Sequence, residues 1–125
     1  MRYSLLLHNA DPSEAGVTEE DMEPFRAAFD AYAKSLNDSG VLVSADILQP
    51  PSNSTTVTLR DGTLRVQDGP FADTKEQLAG AFVVEVPDLD VAIAWAEKCP
   101  GAQYGTIEIR PSAIVFADGR WNNLV

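Results

Sequence analysis

Polar and apolar positions alternate at the start of the chain. Over residues 2–8, Tyr3, Leu5 and Leu7 share one face and Ser4, Leu6 and His8 the other, which predicts a strand. A loop over residues 9–16 follows, holding Asp11-Pro12, and then the period changes. Thr18 is placed as an N-cap, and Glu19, Glu20, Asp21 and Glu23 occupy the first turns, where carboxylates favour the positive end of a helix dipole. Met22, Phe25, Phe29, Tyr32 and Leu36 recur every three or four residues, so a helix with one apolar stripe is predicted, closed by Gly40. Burying each stripe residue contributes about 1.5–3 kcal/mol before entropy is subtracted.

Residues 41–48 predict a second strand, with Val41, Val43, Ala45 and Ile47 in phase, Ser44 and Asp46 opposite, and Pro50-Pro51 as the stop. Asp61-Gly62 is a two-residue hairpin signal. Pairing around it sets Leu59 against Leu64 and Val57 against Val66, so the apolar positions of both arms coincide. Asp73 with Glu76 three residues on has the spacing of a capping box, predicting a short helical turn. Residues 81–86 alternate as a strand up to Pro87, and Asp88 caps a second helix over residues 89–98. That helix is apolar on most sides, which suits cover from two directions, a second subunit being one source. Residues 106–110 form the last core strand, and Asp118-Gly119 marks a hairpin in the tail, residues 112–125.

The order is a βαββαβ pattern with an inserted hairpin, an α+β sandwich with two helices on one face of an antiparallel sheet. The other face carries Leu6, Leu42, Leu48 and Val83 among polar groups. Dimerisation through the sheet would cover it.

At 125 residues the chain is one domain, and 45% apolar against 22% charged residues mark a globular protein. A lone cysteine, Cys99, excludes an internal disulfide and suits a reducing cytoplasm, and no stretch has the length of a secretory core or a membrane span. Net charge is −10, with 4 bases and 10 acids in residues 1–62 and 5 and 9 in residues 63–125. Such an even acidic field repels nucleic acid, so direct nucleic-acid binding is not expected.

Asp68-Gly69-Pro70-Phe71, followed by Thr74-Lys75-Glu76-Gln77, resembles the DGPF group of the YCII-related proteins. Gly40-Val41-Leu42-Val43, Leu48-Gln49-Pro50-Pro51, Val86-Pro87-Asp88-Leu89-Asp90 and Tyr104-Gly105-Thr106-Ile107-Glu108-Ile109-Arg110-Pro111 agree with it, so the likeness spans about residues 1–111. His8 and the extension over residues 112–125 depart from the common pattern. The resemblance implies a dimeric α+β barrel, a ferredoxin-like sandwich paired face to face. It also implies one of two functions: a cofactor-independent small-molecule enzyme, or a non-catalytic regulatory or ligand-sensing module. A sigma factor is linked to the family by association alone.

His8 is the one histidine and the natural candidate base near neutrality. It shares a face with Glu85 and Glu108, either of which would orient it, against a bland reading as a strand-end residue. Asp68 is a turn acceptor or a catalytic acid. Gly69 supplies positive φ and Pro70 stiffens the loop. Phe71 walls a pocket or plugs the sandwich. Lys75, at the N-terminus of the predicted turn, and Arg110 are candidate anion contacts, with a solvated surface lysine as the alternative for Lys75. The expected cleft lies between the sheet and residues 68–71, for a small anionic or aromatic ligand. One His and one Cys do not make the usual thiolate–imidazole zinc site, and no phosphate-cradling glycine loop or nucleophile elbow is present, so neither metal nor cofactor is expected. Cys99 reads as a small buried filler.

Overall fold

A computed structural model describes residues 1–12, 14 and 16–123; residues 13 and 15 of the predicted loop and residues 124 and 125 of the tail lie outside the described residues. Strand β1 (Arg2–Asn9) buries Tyr3, Leu5 and Leu7 and leaves the alternate residues half-buried. It lies centrally in a four-stranded antiparallel sheet with β2 (Leu42–Ile47), β5 (Gln77–Glu85) and β6 (Thr106–Pro111), in the order β2-β5-β1-β6. Helices α1 (Glu19–Asp38) and α2 (Leu89–Lys98) cover one face, completing the ferredoxin-like α+β arrangement that the pattern predicts.

Local chemistry sets the helix starts. The Thr18 hydroxyl accepts from the Asp21 N–H at 3.3 Å, and the Asp21 carboxylate accepts from the Thr18 N–H at 3.0 Å, a closed capping box. The Thr18 N–H, and then the Thr18 hydroxyl donating to the same carboxylate at 2.9 Å, hold the Asp21 carboxyl below its ordinary range. Asp88 accepts from the Val91 N–H at 3.0 Å and starts α2. Between the layers, Tyr32 meets Phe82 edge-on at 5.1 Å, and its hydroxyl donates to the Trp95 carbonyl at 2.8 Å, which ties α1 to α2. Burial pushes the Tyr32 phenol and the Cys99 thiol up, consistent with Cys99 as core filler.

Two bulges alter the predicted phases. In β2, Leu42 pairs with Val84 and Ser44 with Val83, so Val43 is the extra residue. The insertion turns Leu42 onto the helix side, where it packs against the core instead of on the open face. In β5, Leu7 pairs with Gly80 but His8 with Leu78, leaving Ala79 extra. Gly80 is buried there, and a Cβ on it would lie 2.6 Å from the Asp46 carbonyl oxygen, so the strands approach this closely only because the residue is glycine. Leu48 continues the β2 edge through its N–H to the Ala79 carbonyl at 2.8 Å and joins the helix-side cavity wall, not the open face.

Two hairpins stand apart from this sheet. β3 (Thr55–Arg60) and β4 (Thr63–Asp68) pair with Val57 opposite Val66 and Leu59 opposite Leu64, the register read from the sequence. Asp61 and Gly62 both have positive φ, 50° and 74°, as a type I′ turn requires. β7 (Ile114–Ala117) and β8 (Arg120–Asn123) form the tail hairpin around Asp118-Gly119, with Phe116 and Trp121 packed edge-on at 5.2 Å. The helical turn expected at residues 73–76 does not form. Thr74 Oγ1 donates to the Glu76 carbonyl at 2.5 Å, and Gln77 Nε2 donates to the carbonyls of Ala72 and Thr74 at 2.6 and 3.0 Å. Side chains satisfy the backbone in an irregular path, and β5 already starts at Gln77.

Candidate functional site

Alternate residues of a strand share a face, so His8 of β1 and Glu108 and Arg110 of β6 all lie on the open side of the sheet. The β1–β6 register sets His8 against Thr106, Leu6 against Glu108 and Ser4 against Arg110, making His8 and Glu108 diagonal neighbours. His8 Nε2 lies 3.1 Å from Glu108 Oε1, and Arg110 Nη2 donates to Glu108 Oε2 at 2.6 Å. The Arg110 bond and then the His8 contact hold the Glu108 carboxyl below the usual carboxylate range. A glutamate ionised in this way accepts from Nε2–H and leaves Nδ1 of the imidazole as the basic nitrogen. The His8 side chain is 29% exposed and that of Glu108 41%, so the pair is reachable from solvent. Gly105 supports the end of β1: a Cβ there would fall 2.3 Å from the His8 carbonyl oxygen.

The other candidates do not join this cluster. Glu85 pairs across the ladder with Arg2, while His8 pairs with Leu78. At ~3.3 Å per residue this puts Glu85 roughly 20 Å from His8 along the strand. Glu85 instead faces the N-terminal amine at 4.0 Å and Arg2 Nε at 3.5 Å. Shared phase gave the two a common face, and their opposite ends of the strand keep them apart. Asp68 is the exposed last residue of β4, paired with Thr55 in the separate hairpin sheet. Gly69 has φ of 107°; its N–H donates to the Ser54 carbonyl at 2.8 Å, and its own carbonyl accepts from Thr56 Oγ1 at 2.7 Å. These bonds, with Pro70, fix the exit from β4. Phe71 is 89% exposed and does not fill the sandwich within one chain. Lys75 is exposed on the irregular segment, with no helix N-terminus behind it.

A hollow on the other side of the sheet also differs from the expected cleft. It lies on the helix side of the sheet, has a volume of about 770 Å³, and includes none of residues 68–71 in its wall. Phe29 and Phe82, stacked at 6.3 Å, line it together with Met22, Phe25, Ile47 and Leu48. The sequence pattern assigned most of these residues to a filled core. The signal that could have marked the hollow is the trio of small residues Ala33, Ala45 and Ala79 in its wall.

A four-stranded ferredoxin-like sheet with two helices on one face places the chain among small α+β proteins. Within that class the YCII-related domain profile matches residues 1–113, and the chain belongs to the YCII-related family. It is also similar to an uncharacterized protein of Rhizobium meliloti (strain 1021), 30% identical over 116 residues that cover 91% of this chain and 94% of that one.

Proposed function

We propose that the chain acts as a homodimer that binds a small molecule on the open sheet face and performs cofactor-free acid–base chemistry there. The observation that carries this reading is the contact of His8 Nε2 with a Glu108 carboxylate whose other oxygen is held by Arg110. His8 Nδ1 accepts a proton from the ligand, Glu108 orients the ring and stabilises the imidazolium that results, and Arg110 keeps Glu108 ionised. Arg110 is 68% exposed at its side chain and also meets an anionic group on the ligand.

The second copy is supported by uncovered apolar surface. Leu6 and Val83 are only half-buried on the bare face, and Val57, Leu59, Leu64 and Val66 of the hairpin are each 60% exposed or more. No helix among the described residues is long and apolar enough to cross a membrane. A regulatory, ligand-sensing module is the rival reading, and one substitution separates the two. His8→Gln is expected to abolish turnover of a ligand identified by thermal-shift screening of small carboxylates and phenols, while its affinity changes less than about threefold. Turnover indifferent to the change would overturn the acid–base reading, and ligand binding with no turnover in either form would favour the sensing module.

A further inference from the structure

The apolar stripe of α1 is only half used by the core. Tyr32 and Leu36 are buried, but Phe25 and Met22, about two and three turns nearer the N-terminus than Tyr32, stand over the helix-side cavity, with Phe25 38% exposed. On the opposite wall Ile47 and Leu48 are 59% and 50% exposed. Apolar walls exposed around a hollow are unfavourable in water, and its volume of about 770 Å³ falls within the range of ~300–1,000 Å³ typical of small-molecule sites.

The hollow is kept open by local sequence. Ala33 is on the α1 side, Ala45 is on β2, and the bulge in β5 adds Ala79, so three positions facing the gap carry only a methyl group. The charges at the rim select the occupant. Arg26 lines the cavity but is engaged by both Glu19 and Glu23, and Asp30 is engaged by Lys34 at 2.8 Å. These five side chains sum to one net negative charge and Asp11 in the same wall adds another, on a chain whose total is −10. Among the described residues no cation in the wall is left uncompensated to hold an anion, and the wider field repels one.

We propose that this cavity is a second ligand site, separate from the His8 cluster across the sheet, for a ring-bearing apolar molecule that is neutral or cationic. The half-buried Phe29 ring, stacked on the buried Phe82, and the edge-on pair of Phe25 and Tyr104 at 5.3 Å supply aromatic surface suited to a flat ring or an attached cation. Because the cavity is on the helix side, pairing of two copies through the bare sheet face leaves it accessible.

The test titrates the full chain with three probes sharing one apolar body: 2-naphthol, 2-naphthylmethylammonium and 2-naphthoate. Methyl NMR of Met22, Ile47 and Leu48 reads the site. The neutral and cationic probes are expected to shift these methyls saturably, and the anion to bind at least about tenfold more weakly, equivalent to about 1.4 kcal/mol. Ala33→Leu and Ala45→Leu, each placed to fill the hollow, are expected to weaken binding more than about tenfold with an unchanged or raised Tm. His8→Gln is expected to leave probe binding unchanged, which keeps this result independent of the acid–base reading. Absence of methyl shifts with all three probes, preference for the anion, or binding unaffected by both filling variants would each overturn the proposal. Shifts that appear only with rising protein concentration, without probe, would instead make the occupant a second copy of the chain and equally overturn it.

Discussion

Glu108 accepts from Arg110 on one oxygen and meets His8 on the other, and both contacts favour its ionised form. The folded chain therefore gives up this proton at a lower pH than the unfolded chain, so the unfolded state binds more protons in the window below the ordinary value of 4.5. The stabilisation is present above that value and is lost as pH falls through the depressed folded value. Urea melts of the wild type and Glu108→Gln are expected to differ at pH 7 and to converge towards pH 3; an equal gap at both would show that Glu108 does not titrate as argued. Phase and strand order were enough to place His8 and Glu108 on neighbouring strands of one face. They were not enough for Glu85, because a shared face says nothing of distance along the strand.

Among the elements, strands and helices with an unbroken period were readable from sequence, and bulges were not. An extra residue reverses the phase between the side chains before it and those after it, so with Ala45 and Ile47 on the helix side Leu42 reached the core as well, while Val43 absorbed the shift. A regular alternation contains no mark of where such an insertion falls. At Gly80, where β2 comes close to the bulged segment of β5, a methyl group would meet the Asp46 carbonyl at 2.6 Å and the Ile47 Cα at 3.3 Å. Gly80→Ala is expected to lower stability by about 1–3 kcal/mol in urea melts through this overpacking. A change within about 0.5 kcal/mol would mean that the strands separate freely there. The segment over residues 73–76 is the opposite case: its capping-box spacing was present, but Thr74 and Gln77 supplied backbone partners that a helical turn would have had to replace.

For the whole molecule, the main feature is apolar surface that one chain does not cover. The β3–β4 hairpin holds Val57, Leu59, Leu64 and Val66 on a single exposed face, and Phe116 and Trp121 of the tail hairpin are 58% and 65% exposed. A second copy laid on this surface and on the bare sheet would remove it from water, the basis of the proposed homodimer. The double variant Leu59→Lys, Leu64→Glu keeps a favourable cross-strand pair within the hairpin but places charge in the contact. Light scattering at micromolar concentration is expected to give a dimer mass for the wild type and a single-chain mass for the variant, with unchanged circular dichroism. A single-chain mass for the wild type would remove the dimer.

The sequence by itself determined the order of elements, both hairpin turns, the α1 and α2 caps and the side of the sheet on which His8 lies, because each depends on neighbours within a few residues. Tertiary structure alone decided that Glu108 and not Glu85 meets His8, that Leu42 turns inward, and that the α1 stripe overhangs a cavity. Those outcomes depend on register between distant strands and on how far two layers can approach, quantities set by packing across the whole fold and not by any local period.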